Sequence, residues 1–97
     1  MRDEISSYMK NALKAGDKVA LSTTRLIVAA LKDRDITARG NGVSEGISDD
    51  EILSMLQTMI KQRRESSSMY RDAGRVELAE TEEKEIKIIQ EFLPEQL

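Results

Sequence analysis

The sequence contains no cysteine and no histidine. The first absence excludes a disulfide framework and a thiolate site, and it suits a reducing compartment. The second removes the commonest general base and the commonest metal ligand. There is no tryptophan, and there are only two tyrosines and one phenylalanine. Strand formers of the aromatic kind are therefore scarce. No apolar run approaches the roughly 18 residues of a membrane span, and no signal-peptide core is visible. A soluble intracellular protein is expected, cytoplasmic or organellar, with the cytoplasm as the first expectation and no membrane partner. The one proline, Pro94, falls close to the end, where it disfavours helical geometry at Leu93.

What remains is dominated by Ala, Leu, Met, Glu, Lys, Arg and Gln, the good helix formers. Ninety-seven residues make one small domain, which buries about 60–65% of the surface its unfolded chain exposes. An all-α fold is the expectation for residues 1–97. The net charge of −3 is unevenly spread. Residues 1–45 hold eight basic and six acidic side chains, whereas 76–97 hold two and seven. A slightly acidic chain is a poor non-specific binder of nucleic acid, so any RNA contact needs a local basic face.

Four helices can be laid along the chain. In the first, from about Asp3 to Ala15, the residues Ile5, Tyr8, Met9, Ala12 and Leu13 form one apolar stripe. Gly16 suits a left-handed helix end and Asp17 the next N-cap. The second, from about Lys18 to Ala38, buries Val19, Thr23, Leu26, Ile27, Ala30 and Leu31. Leu21 and Val28 lie off that stripe, which predicts packing on two sides and a central position. The stretch from Arg39 to Ile47 has three glycines and reads as a loop. Ser48 and Glu51 then form a capping box, Ile47 and Ile52 a hydrophobic staple, and Asp49 and Asp50 complement the helix dipole. The third helix buries Ile52, Met55, Leu56 and Met59, with Tyr70 further along. Gly74 breaks it, and the fourth helix carries Val76, Leu78, Ile86, Ile89, Phe92 and Leu93. Such a pattern predicts a helical bundle or two packed helical hairpins.

Two basic stripes stand out. Arg25, Lys32 and Arg39 recur every seven residues and stay within about 40° on one helix. Lys61, Arg64, Arg71 and Arg75 form the second, on the third helix and its end. The functional reading is a face that tracks phosphates. The plainer alternative is a solvated face salted with Asp33, Asp35, Glu65 and Asp72, and on the residues alone it carries the greater weight. No aromatic residue is interleaved with either stripe, so base stacking is not indicated. Arg63 differs, because it borders the buried stripe, as do Glu82 and Glu85 on the fourth helix. An interhelical ion-pair network that sets the hairpin register accounts for them; a polar cluster for a ligand or partner is the sharper alternative. Glu82 and Glu85 share a helical face, but there is neither histidine nor a calcium-type loop, so no metal site is expected. Ser66, Ser67 and Ser68 have no recognisable base or oxyanion motif. The glycine-rich loop lacks the Lys-Ser/Thr of a phosphate-binding loop. No catalytic residue and no cofactor is expected.

Three pieces of the chain carry a family resemblance. The first is the opening MRDEISSYMKNALKAGDKVALSTTRLIVAALK, with Lys14, Asp17, Lys18, Leu21, Arg25, Ala30 and Lys32 in place. The second is IKQRRESSSMYRDAGRVELAETEEKEI, matched through Lys61, Arg63, Ser66, Ala73, Gly74, Arg75, Leu78, Ala79, Glu82, Glu85 and Ile86. The third is the ending FLPEQL. In order and spacing these resemble the YqeY-like proteins, whose domain is related to the tail region of the GatB component of the tRNA-dependent amidotransferases. The resemblance implies an all-helical N-terminal domain, normally followed by a smaller helical domain that this chain would lack. It also implies tRNA, or a translation-related protein, as the partner. Any label of carbon–nitrogen ligase with glutamine as amido donor would come from that kinship, since nothing in these residues performs the reaction. The expectation is a non-catalytic accessory module that contacts tRNA; the alternative is a helical protein-interaction module with no RNA role.

Overall fold

The structure is a computed structural model that describes residues 1–94. Glu95, Gln96 and Leu97, the second half of the FLPEQL piece, lie outside the described residues. Four helices follow in order: α1 (Arg2–Ala15), α2 (Lys18–Gly40), α3 (Asp49–Asp72) and α4 (Val76–Gln90). There is no strand among the described residues. The all-α expectation holds, in its two-hairpin form. The long axis measures 46 Å, against 30 and 29 Å across.

Local signals set the helix ends. Gly16 adopts φ 71°, and its N–H and that of Asp17 close α1 on Leu13 and Ala12 carbonyls. Only glycine enters that left-handed region without a Cβ penalty. Asp17 caps α2 by accepting the Ala20 N–H at 3.0 Å. Ser48 and Glu51 complete both halves of a capping box on α3. Helix α2 runs on through Arg39 and Gly40, so the loop before α3 is shorter than the glycines suggested. Helix α4 stops at Gln90, three residues before Leu93.

Helix α2 is the shared wall. It packs on α1, α4 and, more sparsely, α3, while α3 and α4 pack mainly on each other. Ile27, Ile52, Met55, Leu56 and Ile89 are fully enclosed, with Ile5, Leu31, Met59, Ile60, Ile86 and Phe92 around them. Tyr8 meets Phe92 edge to face at 5.1 Å, which ties α1 to the end of α4. Burial, with the Glu91 carboxylate beside it, pushes the Tyr8 phenol up to about 12.

Several apolar positions expected inside lie outside. Leu13 is 62% exposed and Leu26 is 48% exposed. Val76 and Leu78, expected in the α4 stripe, are 46% and 43% exposed. For Val76 and Leu78 the reason is reach. From Ser68 to Leu78 every residue but Tyr70 is exposed, so the tip of the α3–α4 hairpin stands clear of the α1–α2 body. Asp35, expected among the solvated charges, is buried at 6% exposure. Its carboxylate takes both arms of Arg2, at 2.6 and 2.8 Å, and the Ile47 N–H at 2.9 Å, while Arg2 also donates to the Ile47 carbonyl. Three segments are thereby clasped at one point. Gly46 closes the clasp with φ 83°, and a Cβ there would stand 2.8 Å from Asp35 Cγ.

Candidate nucleic-acid interface

The seven basic candidates all lie on the surface, but they do not form one patch. Arg25, Lys32 and Arg39 are exposed along α2, separated by about 10.5 Å of helix rise at each step. Neither Arg25 nor Lys32 has a hydrogen-bond or ion-pair partner among the described residues, whereas Arg39 Nε donates to the Ser44 carbonyl at 3.3 Å. Ile36 lies on the same face and is 57% exposed. This ridge is held rigid from behind, because Ile27 and Leu31 on the opposite side of α2 are buried.

The second set sits on the α3–α4 hairpin. Lys61, Arg64, Arg71 and Arg75 are exposed, yet their electrostatic states differ. Arg71 is committed to Glu83: its Nε and Nη2 reach Glu83 Oε2 and Oε1 at 3.1 and 2.8 Å. The buried Ser67 hydroxyl donates to the same carboxylate at 3.2 Å. The Arg71 guanidinium holds the Glu83 carboxyl below its ordinary range. A carboxylate so stabilised is a weak base, and Ser67 beside it is not activated as a nucleophile. Arg64 lines a groove of about 500 Å³ with Arg71, Ser68 and Lys87, floored by Ile86. Arg75 lies apart, at the N-terminus of α4.

On the other side of the hairpin, Arg63 Nε donates to Glu85 Oε2 at 2.8 Å, and its Nη1 to the Met59 carbonyl at 3.3 Å. Both partners are largely enclosed, with 14% and 17% of their side-chain surface exposed. Glu82 is brought close without a hydrogen bond among the described residues. Burial raises its carboxyl above the ordinary value, Glu85 adds to the rise, and Arg63 opposes it.

Three participants escape a reading of the sequence alone. Asp35 continues the Ile27–Leu31 row at four-residue spacing, which is a legible signal, but its partner Arg2 is 33 residues away. Glu83 and Lys87 flank Ile86 on α4, and that spacing places them at the edge of a helical seam. Which basic residue Glu83 engages depends on the register of α3 against α4, which no local pattern contains.

The fold and the surface define a class: a small two-hairpin α-domain with a clasped α2–α3 junction and basic helix faces. No group of three or more Asp or Glu suited to a metal ion occurs among the described residues. The sequence matches the family model described as Yqey-like protein over residues 2–97. This chain belongs to the YqeY-like family. It is similar to an uncharacterized protein of Schizosaccharomyces pombe, 28% identical over 94% of this chain and 70% of the relative. It is also similar to proteins named altered inheritance of mitochondria protein 41, mitochondrial. The one from Lachancea thermotolerans is 31% identical over 88% of this chain and 43% of the relative. The one from Pyrenophora tritici-repentis is 30% identical over 91% and 46%. The chain thus spans less than half the length of these mitochondrial relatives.

The cytoplasmic expectation is corrected by these names, since the named relatives are mitochondrial proteins. It had no firm physical basis. A lack of cysteine and of long apolar runs is compatible with any reducing aqueous compartment. No helix among the described residues is long and apolar enough to cross a membrane.

Proposed function

We propose that this chain is a non-catalytic helical accessory module that contacts tRNA, akin to the tail region of the GatB component of the tRNA-dependent amidotransferases. Its kinship to glutamine-dependent carbon–nitrogen ligases would then be one of architecture, with the chemistry performed elsewhere. The observation that supports it is the α2 ridge: Arg25 and Lys32 are exposed and unengaged among the described residues, on a chain whose net charge is −3. An unpaired cation on a rigid helix meets a phosphate without first giving up a carboxylate. Lys61, Arg64, Arg71 and Arg75 form the second contact in this reading. The relatives' names support an organellar setting for it.

The test is a tRNA titration by fluorescence anisotropy at two salt concentrations. Weak binding that falls steeply with salt is expected, because each neutralised phosphate releases counterions. Replacing Arg25, Lys32 and Arg39 with Glu removes it, and replacing Lys61, Arg64 and Arg71 with Glu removes it or weakens it, in both cases with the helical signal intact. Absence of binding at low salt ends this reading. The exposed tip residues Met69, Val76 and Leu78 favour the other one, a protein-interaction module. It gains if tRNA is not bound and Met69→Ser with Leu78→Ser abolishes capture of an identified protein partner.

A further inference from the structure

The groove between α3 and α4 has a composition that the tRNA reading does not use fully. Its α3 wall presents Arg64, Ser68 and Arg71 at four- and three-residue steps, so they share one helix face. Its α4 wall presents Glu83 and Lys87, again one turn apart. Three cations, Arg64, Arg71 and Lys87, therefore line one groove with a single carboxylate, Glu83. That carboxylate gathers two arms of Arg71 and the buried Ser67 hydroxyl. Arg64 and Lys87 have no ion-pair partner among the described residues. The floor is the buried Ile86.

We propose that this groove is a phosphate-group site and that Glu83 is its internal competitor, holding Arg71 and Ser67 as a phosphate oxygen would. A phosphate offers the same acceptor geometry to the Arg71 fork with more charge and a third oxygen. Arg64 and Lys87, left over by Glu83, supply the donors for the remaining oxygens. Both line the groove, and their long, flexible side chains can reach a group lying between the helices. Only for phosphates that belong to RNA does the proposal rest on the tRNA reading above. A phosphomonoester is the other source of the same chemistry, and a groove of about 500 Å³ has room for one.

A carboxylate that merely joins two helices and one that competes with a ligand behave oppositely when neutralised. Glu83→Gln keeps the size and loses the charge. If Glu83 is a competitor, the variant binds phosphate about two- to fivefold more tightly, the range expected for releasing an exposed ion pair. Arg64→Ala with Lys87→Ala weakens binding at least about tenfold, as for two lost charge-assisted hydrogen bonds. The experiment is an NMR titration of the ¹⁵N-labelled chain with inorganic phosphate and with adenosine 5′-monophosphate at fixed ionic strength. It is run on the parent and both variants, with far-UV circular dichroism to confirm that they are folded. A parallel anisotropy assay asks whether either probe displaces tRNA. Amide shifts should centre on residues 64–71 and 83–87. Displacement of tRNA by the probes identifies RNA phosphates as the occupant; binding without displacement, or binding when tRNA does not bind at all, identifies a phosphomonoester. An unchanged or weakened affinity in Glu83→Gln overturns the proposal, as do shifts confined to α2. If phosphate fails while the α2 charge reversals still abolish tRNA binding, the groove proposal falls and the tRNA reading stands.

Discussion

At the scale of single residues, two polar groups carry stability in opposite senses. Asp35 is buried but fully engaged by Arg2 and the Ile47 N–H. Its hydrogen bonds to Arg2 hold its carboxyl down at about 2, from an ordinary value of 3.8, against the opposing effect of burial. The folded value is depressed, so the contribution is complete above pH 4 and is lost as pH falls towards 2. Asp35→Ala should destabilise by about 1–3 kcal/mol at neutral pH, because it strands the Ile47 N–H and removes the charged partner of Arg2. It should also flatten the acid limb of a denaturation-midpoint profile between about pH 4 and 2, which the parent retains. Thr23 is the reverse case. Its hydroxyl is fully buried with no hydrogen-bond partner among the described residues, whereas Thr24 donates to the Ala20 carbonyl at 2.5 Å. Thr23→Val removes an unsatisfied group with little change in shape, so it should raise the thermal midpoint, by about 1 kcal/mol in stability. Thr24→Val removes a satisfied group and should not raise it. A Thr23→Val midpoint at or below the parent's would show that the hydroxyl is engaged after all.

At the scale of helices and hairpins, Arg63 and its two glutamates test how the α3–α4 seam is held. Arg63→Ala leaves Glu85 largely enclosed without a counterion and should cost about 1–4 kcal/mol. Glu82 behaves differently. Its folded carboxyl is raised, so ionisation opposes folding, and the stability it costs appears as pH rises through its folded value. Glu82→Gln should therefore be neutral or stabilising at pH 7, where Glu85→Gln is destabilising. Urea unfolding of the three variants at one pH distinguishes them, and equal effects of Glu82→Gln and Glu85→Gln would contradict the asymmetry. The same hairpin shows what was legible in the sequence. Gly16, Asp17, Ser48 and Glu51 act within a few residues of themselves, so the helix starts and the first turn could be read directly. Arg63 and Glu85 bordered apolar stripes, which made them candidates for a seam. The exposure of Val76 and Leu78 could not be read, because periodicity reports which face of a helix is apolar and says nothing of how far the neighbouring hairpin extends. The Arg2–Asp35 clasp and the Arg71–Glu83 pair were hidden for the same kind of reason. Each depends on where two distant segments meet, and basic residues that look alike along a helix are sorted by that meeting into engaged and unengaged ones.

At the scale of the whole molecule, the question is whether two hairpins make one folding unit. Helix α2 touches all three other helices, and its Ile27 has no exposed surface. Tyr8 joins the first hairpin to Phe92 beyond the end of the second. These links predict a single transition, since neither hairpin can lose its partner without exposing Ile27, Ile52 and Ile89 together. A domain of this size has about 5–15 kcal/mol to lose. Ile27→Ala should take about 2–5 kcal/mol of it, through lost transfer energy and the cavity left behind. Leu78→Ala, on the projecting tip, should change stability by no more than about 0.5 kcal/mol. The two tyrosines allow a direct check, because Tyr8 lies in α1 and Tyr70 in α3. In Tyr70→Phe the remaining tyrosine fluorescence reports the first hairpin, and in Tyr8→Phe it reports the second. For each variant the fluorescence midpoint in urea should coincide with the midpoint of the helical signal. If the midpoints separate within one variant, the hairpins unfold independently. The α2 ridge and the α3–α4 groove would then sit on mobile partners, and the tRNA contact would have to be reconsidered as two separate contacts.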